Sequence, residues 1–420
     1  MRQENSTKSL LLATFHQAVS AASAQATLAA HLPPLPPRGR TLVLGAGKAA
    51  AAMAAVTAET LNGALHGKVV TRYGHDCEIP GDKISLACAA HPVPDRQSTI
   101  IARKMLALAQ KCKPEDRLLF LASGGGSSLL CLPAPGLSLL QKQDIIRHLL
   151  HSGADIAQIN CVRKHLSAIK GGRLAAACGT RDIHTFIISD VPGDDPAAIA
   201  SGPTIADPTS LADARAVIMR YGTPHEDVVM AALNNDTNET PKPGTLVEHH
   251  TIIATAKDAL GAAAKWAKAK GWQVHNLGDR IEGEARDVGT YHARIALDLK
   301  ARGGRWLLIS GGETTVTVRH QNGGGGPNLE YLAGLALALN GEGGITALSC
   351  DTDGIDGSED NAGAFITPTT LSRAKTLGLD LKAHLDKNRT YAFFKALDDL
   401  VITGPTLTNV NDFRIIAIES

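Results

Sequence analysis

The sequence predicts an α/β protein, with two α/β domains, mostly parallel sheets and an interdomain cleft. Three observations point there. Short apolar runs recur along the chain, and the stretches between them carry apolar residues at helical spacing. A polar, turn-rich segment near residues 222–249 separates two such series. The runs are almost continuously apolar rather than alternating, the pattern of parallel strands buried on both faces.

The elements follow in order. Leu11, Phe15 and Val19 recur at helical spacing and predict an amphipathic first helix. The same stretch, from Lys8 through Ala24, has the outline of an export signal, but His16 and Gln17 interrupt its apolar run. After the hinge around Pro33, Pro34, Pro36 and Pro37, strands are expected at 41–44, 68–71, 84–87, 118–121 and 185–189. Helical patterns over 98–109 and 154–168 supply the crossovers that parallel strands require. A second series is expected at 251–254, 273–276, 306–309, 315–318, 345–349 and 413–418. The turn-rich segment reads as a boundary or a large surface loop, and the division is expected between a Rossmann-like domain, 1–235, and a C-terminal α/β domain, 236–420.

Composition narrows the function. The chain has 420 residues with 42 Lys plus Arg against 41 Asp plus Glu, a formal charge of +1. That balance offers no global attraction to a polyanion and argues against nucleic acid as a partner. No apolar run approaches the roughly 18 residues of a membrane span. Aromatic residues are only 4%, too few for a base- or sugar-stacking surface. The seven cysteines are scattered without a C-x-x-C pair, so neither a thiolate metal site nor a disulfide framework is signalled. A cytoplasmic protein acting on a small molecule is the expectation, with homo-oligomerisation left open.

Chemistry-bearing motifs sit at strand ends. Gly45-Ala46-Gly47-Lys48-Ala49-Ala50 follows the first expected strand and matches a relaxed dinucleotide fingerprint, G-x-G-x-x-A. The acidic residue expected about 20 positions later is missing, and Arg72 and Tyr73 end the next strand instead. A fixed cation, Lys48, on a glycine turn suits phosphoryl transfer better than hydride transfer; the alternative is an exposed lysine in a first turn. Ser123-Gly124-Gly125-Gly126-Ser127-Ser128 is the strongest glycine-rich element, able to present consecutive N–H groups to an anion or to serve as a tight turn. It is echoed by Ser310-Gly311-Gly312-Glu313-Thr314-Thr315 after a later strand. Neither belongs to a P-loop or a protein-kinase motif set.

From residue 156 to 181 there are five Lys or Arg and no acid. Arg163 and Lys170 in this stretch can anchor a carboxylate or phosphate, or simply line a solvated helix face. Asp190, Asp351, Asp353 and Asp356 close expected strands and have the hard oxygen chemistry that Mg²⁺ takes, although Asp-Gly turns are their simpler use. In His91-Pro92-Val93-Pro94-Asp95 the aspartate reads as the N-cap of the next helix.

Taken in order, these motifs resemble the glycerate 2-kinase family, the type II glycerate kinases whose C-terminal half is the MOFRL domain. Asn160 through Arg173, Ser189-Asp190-Val191-Pro192-Gly193-Asp194, Asp351 through Gly357 and Gly404 through Asp412 belong to the same set. The resemblance covers nearly the whole chain. It implies ATP- and Mg²⁺-dependent phosphorylation of D-glycerate to 2-phosphoglycerate, with Lys48 at the family's active-site lysine. Relatives also carry the label hydroxypyruvate reductase, often beside tartrate-degradation genes. The family pattern Gly-Gly-Arg-Asn-x-Glu, whose arginine is implicated at the active site, reads Gly325-Gly326-Pro327-Asn328-Leu329-Glu330 here.

From residue chemistry, the expected roles are charge neutralisation by Lys48, orientation or deprotonation of the substrate hydroxyl by Asp190, and carboxylate binding by Arg163 and Lys170. The nucleotide is expected on Gly45, Gly47, the Ser123–Ser128 loop, Gly311, Gly312 and Glu313, and the metal on Asp190, Asp351 and Asp353. Two other readings stand beside the kinase. One is an NAD(P)H-dependent hydroxypyruvate reductase with Arg72 on the 2′-phosphate; the other is a non-catalytic protein that binds a small ligand.

Overall fold

A computed structural model describes residues 2–320 and 323–420 of the chain. Two compact units appear, one of residues 24–253 and one of residues 1–23 with 254–420. Each carries a six-stranded sheet.

In the first unit the strands are β1 (Thr41–Ala46), β2 (Leu65–Arg72), β3 (Ile84–Ala89), β4 (Arg117–Ala122), β5 (Ile183–Ile188) and β6 (His249–Ala254). Their order is β3-β2-β1-β4-β5-β6, and the β1–β2, β1–β4, β2–β3 and β4–β5 pairs are parallel. β1 is buried along its whole length, as expected of a central strand covered on both faces. Helix Arg96–Ala109 covers one face through Ile101, Ala102 and Met105, packed on Leu42, Leu44 and Phe120. Asp95 caps that helix, its Oδ1 accepting from the Ser98 N–H at 3.0 Å. Helices Leu139–His151, Ile156–His165, Leu211–Tyr221 and Glu226–Leu233 form a separate apolar cluster around Ile145, Ile159, Val162 and Ile218.

The second unit holds β7 (Gln273–Asn276), β8 (Arg305–Gly312), β9 (Ile345–Asp351), β10 (Gly363–Ile366), β11 (Leu400–Val401) and β12 (Asp412–Glu419), in the order β11-β10-β9-β12-β8-β7. This sheet corrects the expectation of mostly parallel strands: only β7–β8 pair in parallel, and β12 runs antiparallel between β8 and β9. The reason is topological. The last strand of the chain inserts between two strands that already point the same way. Helices Ala285–Ala301 and Pro327–Leu339 pack on the face carrying Leu308, Ala347 and Ile416.

Four further expectations change. The boundary expected at 235/236 does not coincide with the division of the two units at 253/254. β6, expected to open the second domain, pairs beside β5 in the first sheet. The turn-rich segment is no linker, because Asp207 N–H donates to Pro241 O at 2.8 Å and Thr240 Oγ1 to Asp207 Oδ2 at 3.2 Å. Residues 315–318 form no strand and contribute only a single bridge, Glu284 to Thr315.

The first helix, Arg2–Ala21, belongs to the second unit, where Leu11 and Phe15 are fully buried. Phe15 meets Phe413 of β12 at 5.9 Å between ring centroids, and Lys8 pairs with Asp399 at 2.7 Å. The segment with the outline of an export signal is thus part of a folded core. No described helix is long and apolar enough to cross a membrane.

Candidate active site

In the first unit, the ends of β1 and β4 meet through backbone. Lys48 N–H donates to Gly124 O at 2.8 Å, Ser123 N–H to Ala46 O at 3.2 Å, and Ala49 N–H to Ser123 Oγ at 3.0 Å. The two glycine-rich motifs that the sequence singled out separately are therefore one structure. Gly47 has φ +143°, and a Cβ there would fall 2.1 Å from Ser123 Oγ and 2.5 Å from Ser123 O. Only glycine lets the turn pass the Ser123 backbone. Gly47→Ala should cost about 1–3 kcal/mol, the range for an enforced disfavoured backbone conformation, checked by denaturant unfolding.

Lys48 is only 9% exposed, which removes the reading of a solvated first-turn lysine. Its Cγ and the His91 ring flank Gly125, each within 3.5 Å of where a Cβ would stand. The His91–Pro92 bond is cis, and Pro92 O accepts from Ser128 Oγ at 2.6 Å. His91, which nothing in the sequence marked beyond its strand-end position, thus joins Lys48 and the triple-glycine loop.

A third segment closes this cluster from the chain after β5, the same connection that carries Asp190. Ala200, Ser201 and Gly202 all adopt positive φ. Ser201 Oγ meets Ser127 Oγ at 2.7 Å, and the Ala200 methyl packs where a Gly126 Cβ would be, 2.6 Å away. Two successive left-handed non-glycine residues are costly and persist only where neighbours over-determine them. Gly171 and Gly172 N–H groups donate to Ser201 O and Gly202 O at 3.0 and 2.7 Å. The Lys170 ammonium donates to Ala200 O at 3.1 Å.

Lys170 is fully buried, and that burial drives its pKa well below the ordinary lysine value. The helix expected to continue through residue 168 ends at His165, so Lys170 leaves the anticipated polar face and enters the core. Arg163 donates to Asn160 Oδ1 at 2.6 Å. Lys142, which sequence reasoning passed over, joins the same cationic region: its Nζ donates to Leu166 O and Arg163 O at 2.8 and 3.2 Å. Burial lowers its pKa to about 8. Lys164 and Arg173 are drawn into other contacts. Lys164 pairs with Asp207 at 3.3 Å, and Arg173 reaches the carbonyls of Asn238 and Glu239.

The second unit builds its own polar cluster at the end of β8. Gly312 has φ +109°, and a Cβ there would lie 2.3 Å from Ile281 O. Arg414, 1% exposed, donates to Gly311 O, Gly312 O and Thr314 Oγ1 at 3.2, 3.5 and 3.1 Å and pairs with Asp412. Asn328 Nδ2 bridges Asp412 Oδ1 and Asp356 Oδ1 at 2.7 and 3.2 Å, while its Oδ1 accepts from Ser349 Oγ at 2.5 Å. Asp356 also accepts the Asn328 and Leu329 N–H groups at 3.1 Å, capping helix Pro327–Leu339 from a distant loop. Burial, reinforced by the Asp412 charge, raises its pKa to about 7. Asp351 Oδ1 accepts from Asp353 N–H at 2.9 Å, and Asp353 Oδ1 from Ile355 N–H at 2.7 Å. Asp353 is fully buried and Asp351 half-buried, whereas Glu313 is exposed. No group of three or more His, Cys, Asp or Glu among the described residues is arranged to hold a metal by itself.

Residues 10–234 match the family described as a domain of unknown function, DUF4147, and residues 306–412 match the MOFRL family. A D-glycerate 2-kinase of Thermotoga maritima is 40% identical over 382 residues, covering 90% of each chain. This chain belongs to the glycerate 2-kinase family. A family member from Agrobacterium vitis, provisionally named a hydroxypyruvate reductase, is 48% identical over 98% of this chain and 95% of its own. The crystal structure of a Thermotoga maritima glycerate kinase superposes with a TM-score of 0.87 at 36% identity, covering 99% of this chain and 100% of that one.

Within this family member, Pro327 departs from the family arginine at a position that suits proline. It is the first residue of helix Pro327–Leu339, where the missing N–H has no intrahelical partner to lose. Glu330 of the same motif is buried and engaged by Arg286 at 2.7 Å and Asn388 at 2.6 Å.

Proposed function

We propose that this protein transfers the γ-phosphoryl group of ATP to the 2-hydroxyl of D-glycerate, with Mg²⁺ as the required cation. The observation that carries the reading is the cluster in the first unit. There a nearly buried Lys48 ammonium side chain, the Ser123–Ser128 loop and His91 converge at the ends of parallel strands. The glycerate kinase names of relatives across most of the chain agree with it.

Phosphoryl transfer asks a protein for positioning and charge neutralisation more than for covalent chemistry. Lys48 faces the transferring phosphate charge, and the backbone of Gly45, Gly47 and Gly124–Gly126 approaches the phosphates without side-chain obstruction. Ser123 holds the turn through Ala49, while Ser127 and Ser128 brace the loop on Ser201 and Pro92. Asp190 orients the glycerate hydroxyl and accepts its proton. Arg163 meets the glycerate carboxylate. Lys170, through its bond to Ala200 O, keeps the left-handed segment against Gly126. In the second unit, Gly311, Gly312 and Glu313 form a separate nucleotide-facing loop held by Arg414.

Mg²⁺ prefers one or two carboxylates, with phosphate and water oxygens completing its shell. Asp190, Asp351 and Asp353 each offer that donor chemistry. When bound, the cation neutralises phosphate charge. Asn at each position should shift the Mg²⁺ dependence of activity to higher concentration, since a neutral amide is a poorer ligand for a hard cation. Unchanged metal curves for all three variants would place the cation elsewhere.

One observation keeps the reductase reading in play. The first sheet has the 3-2-1-4-5-6 order of dinucleotide-binding folds, with a G-x-G-x-x-A turn after β1. Incubation with D-glycerate and ATP-Mg²⁺, followed by phosphorus NMR, should yield 2-phosphoglycerate. ATP-Mg²⁺ and glycerate should also raise the melting temperature while NADPH does not; ligand at about 100 times its dissociation constant adds roughly 2.7 kcal/mol. Stabilisation by NADPH with hydroxypyruvate-dependent loss of its absorbance would overturn the kinase reading.

A further inference from the structure

Two cysteines of the first unit have no part in phosphoryl transfer. Cys112 lies just beyond helix Arg96–Ala109, and Cys178 just beyond the short helix Arg173–Ala176. Their segments are fastened together by backbone. The N–H groups of Cys112 and Gly179 both donate to Ala109 O, at 3.1 and 3.3 Å. A little further along each path, Thr180 Oγ1 donates to Asp116 O at 2.5 Å and approaches Pro114 O at 3.4 Å. A Cβ built on Gly179 would stand 1.8 Å from Cys112 O and 3.7 Å from Cys112 Cα, so these backbones are in direct contact. Cys178 packs against the apolar cluster that contains Cys112, so the backbone contact brings the two cysteines side by side.

The pair is asymmetric. Cys178 is half-buried and reachable from solvent, whereas Cys112 is 8% exposed. The neighbouring Cys112 and the nearby backbone N–H groups outweigh desolvation and hold the Cys178 thiol below its ordinary value. The Cys112 thiol is pushed up by its Cys178 neighbour and by burial. A reachable sulfur with thiolate character beside a second, sheltered thiol is the arrangement of an attacking and a resolving cysteine. The other cysteines lack it. Cys131, Cys161 and Cys350 are buried, and desolvation with the Asp76 charge raises the thiols of Cys77 and Cys88.

We propose that Cys178 and Cys112 form an oxidation site that hydrogen peroxide converts into an intramolecular disulfide. The Cys178 thiolate attacks one peroxide oxygen, the O–O bond breaks, and the departing hydroxide takes a proton to leave as water. Cys178 is then a sulfenic acid. Cys112, losing its proton, attacks the Cys178 sulfur and expels the sulfenic hydroxyl as a second water. Two thiols have given two electrons to one peroxide. The bond forms ahead of β4 and β5, at the strand ends opposite the Ser123–Ser128 loop and Asp190. The oxidised protein should therefore keep its turnover while its unfolding midpoint rises, because the cross-link restricts the unfolded chain.

The test is peptide mapping of the reduced full-length protein after peroxide treatment, with and without a reductant. A linked pair of peptides containing Cys112 and Cys178, lighter by two hydrogens and reversed by dithiothreitol, is expected. Cys112→Ser should instead accumulate a Cys178 sulfenic acid that dimedone traps, and Cys178→Ser should leave Cys112 reduced. Two results would overturn the proposal in wild-type protein alone: another cysteine oxidising before Cys178, or Cys178 oxidising without linking to Cys112. Those readings need no variant, so they stand even where a serine variant folds poorly.

Discussion

Alanine at Lys48 should lower turnover by about 10²–10³ while the protein stays folded, the usual penalty for losing one preorganised stabiliser of developing charge. The backbone bond from Lys48 N–H to Gly124 O is indifferent to the side chain, so the turn itself survives the truncation. The loss should therefore appear in kcat far more than in the melting curve. Lys48→Arg should recover only part of the rate, because a broad planar guanidinium does not replace a compact ammonium in a nearly closed space. The check is steady-state kinetics with D-glycerate and ATP-Mg²⁺ beside a thermal melt. A folded Lys48→Ala protein with near-wild-type turnover would move the charge-neutralising role to another group.

Methionine at Arg414 should destabilise the second unit by about 3–5 kcal/mol, the cost of breaking a buried ion pair from one side. Arg414 stacks over the Tyr331 ring at 5.4 Å and carries Asp412 and the carbonyls of Gly311 and Gly312 on one guanidinium. Without it, Asp412 keeps only neutral donors and stands near Asp356, a carboxyl that burial already holds up at about 7. Denaturant unfolding of Arg414→Met against Arg305→Met provides the comparison. The Arg305–Glu419 pair is 3.2 Å long with its arginine 53% exposed, and surface pairs contribute at most about 1 kcal/mol. Equal effects from the two variants would show that the Arg414 network is not what holds the β8 loop.

What was readable in advance depended on distance along the chain. Strands β1 to β5 are legible because buried parallel strands are local runs of apolar residues, and Asp95 is legible as a cap because its partner Ser98 is three positions away. β10 and β11 were not foreseen: Gly363–Ile366 and Leu400–Val401 are too short to carry a periodic signal. Lys142 follows a capping box at Ser138 and has no local signal of burial, yet it is 3% exposed because the last turn of helix Ile156–His165 and its cap Leu166 cover it. In the sequence Asp356 reads as a strand-end acid or a turn aspartate; its work is to cap a helix that begins 29 residues earlier in the chain, at Pro327.

The sequence by itself determined the α/β class, most strand positions, the family and the glycine motifs around Lys48, because each is written in contiguous residues. Tertiary structure alone decided which motifs share a cluster. It joined Gly45–Lys48 to Ser123–Ser128 and His91, drew Lys170 inward to Ala200, and gave Lys164 its acid in Asp207. It also placed β12 antiparallel between β8 and β9, moved β6 into the first sheet and carried the first helix to the second unit. Composition near a residue fixes its local conformation. Whether a buried charge finds a partner, and which strand fills a gap in a sheet, is settled by groups far away in the chain, whose desolvation must be offset wherever the fold happens to bring them together.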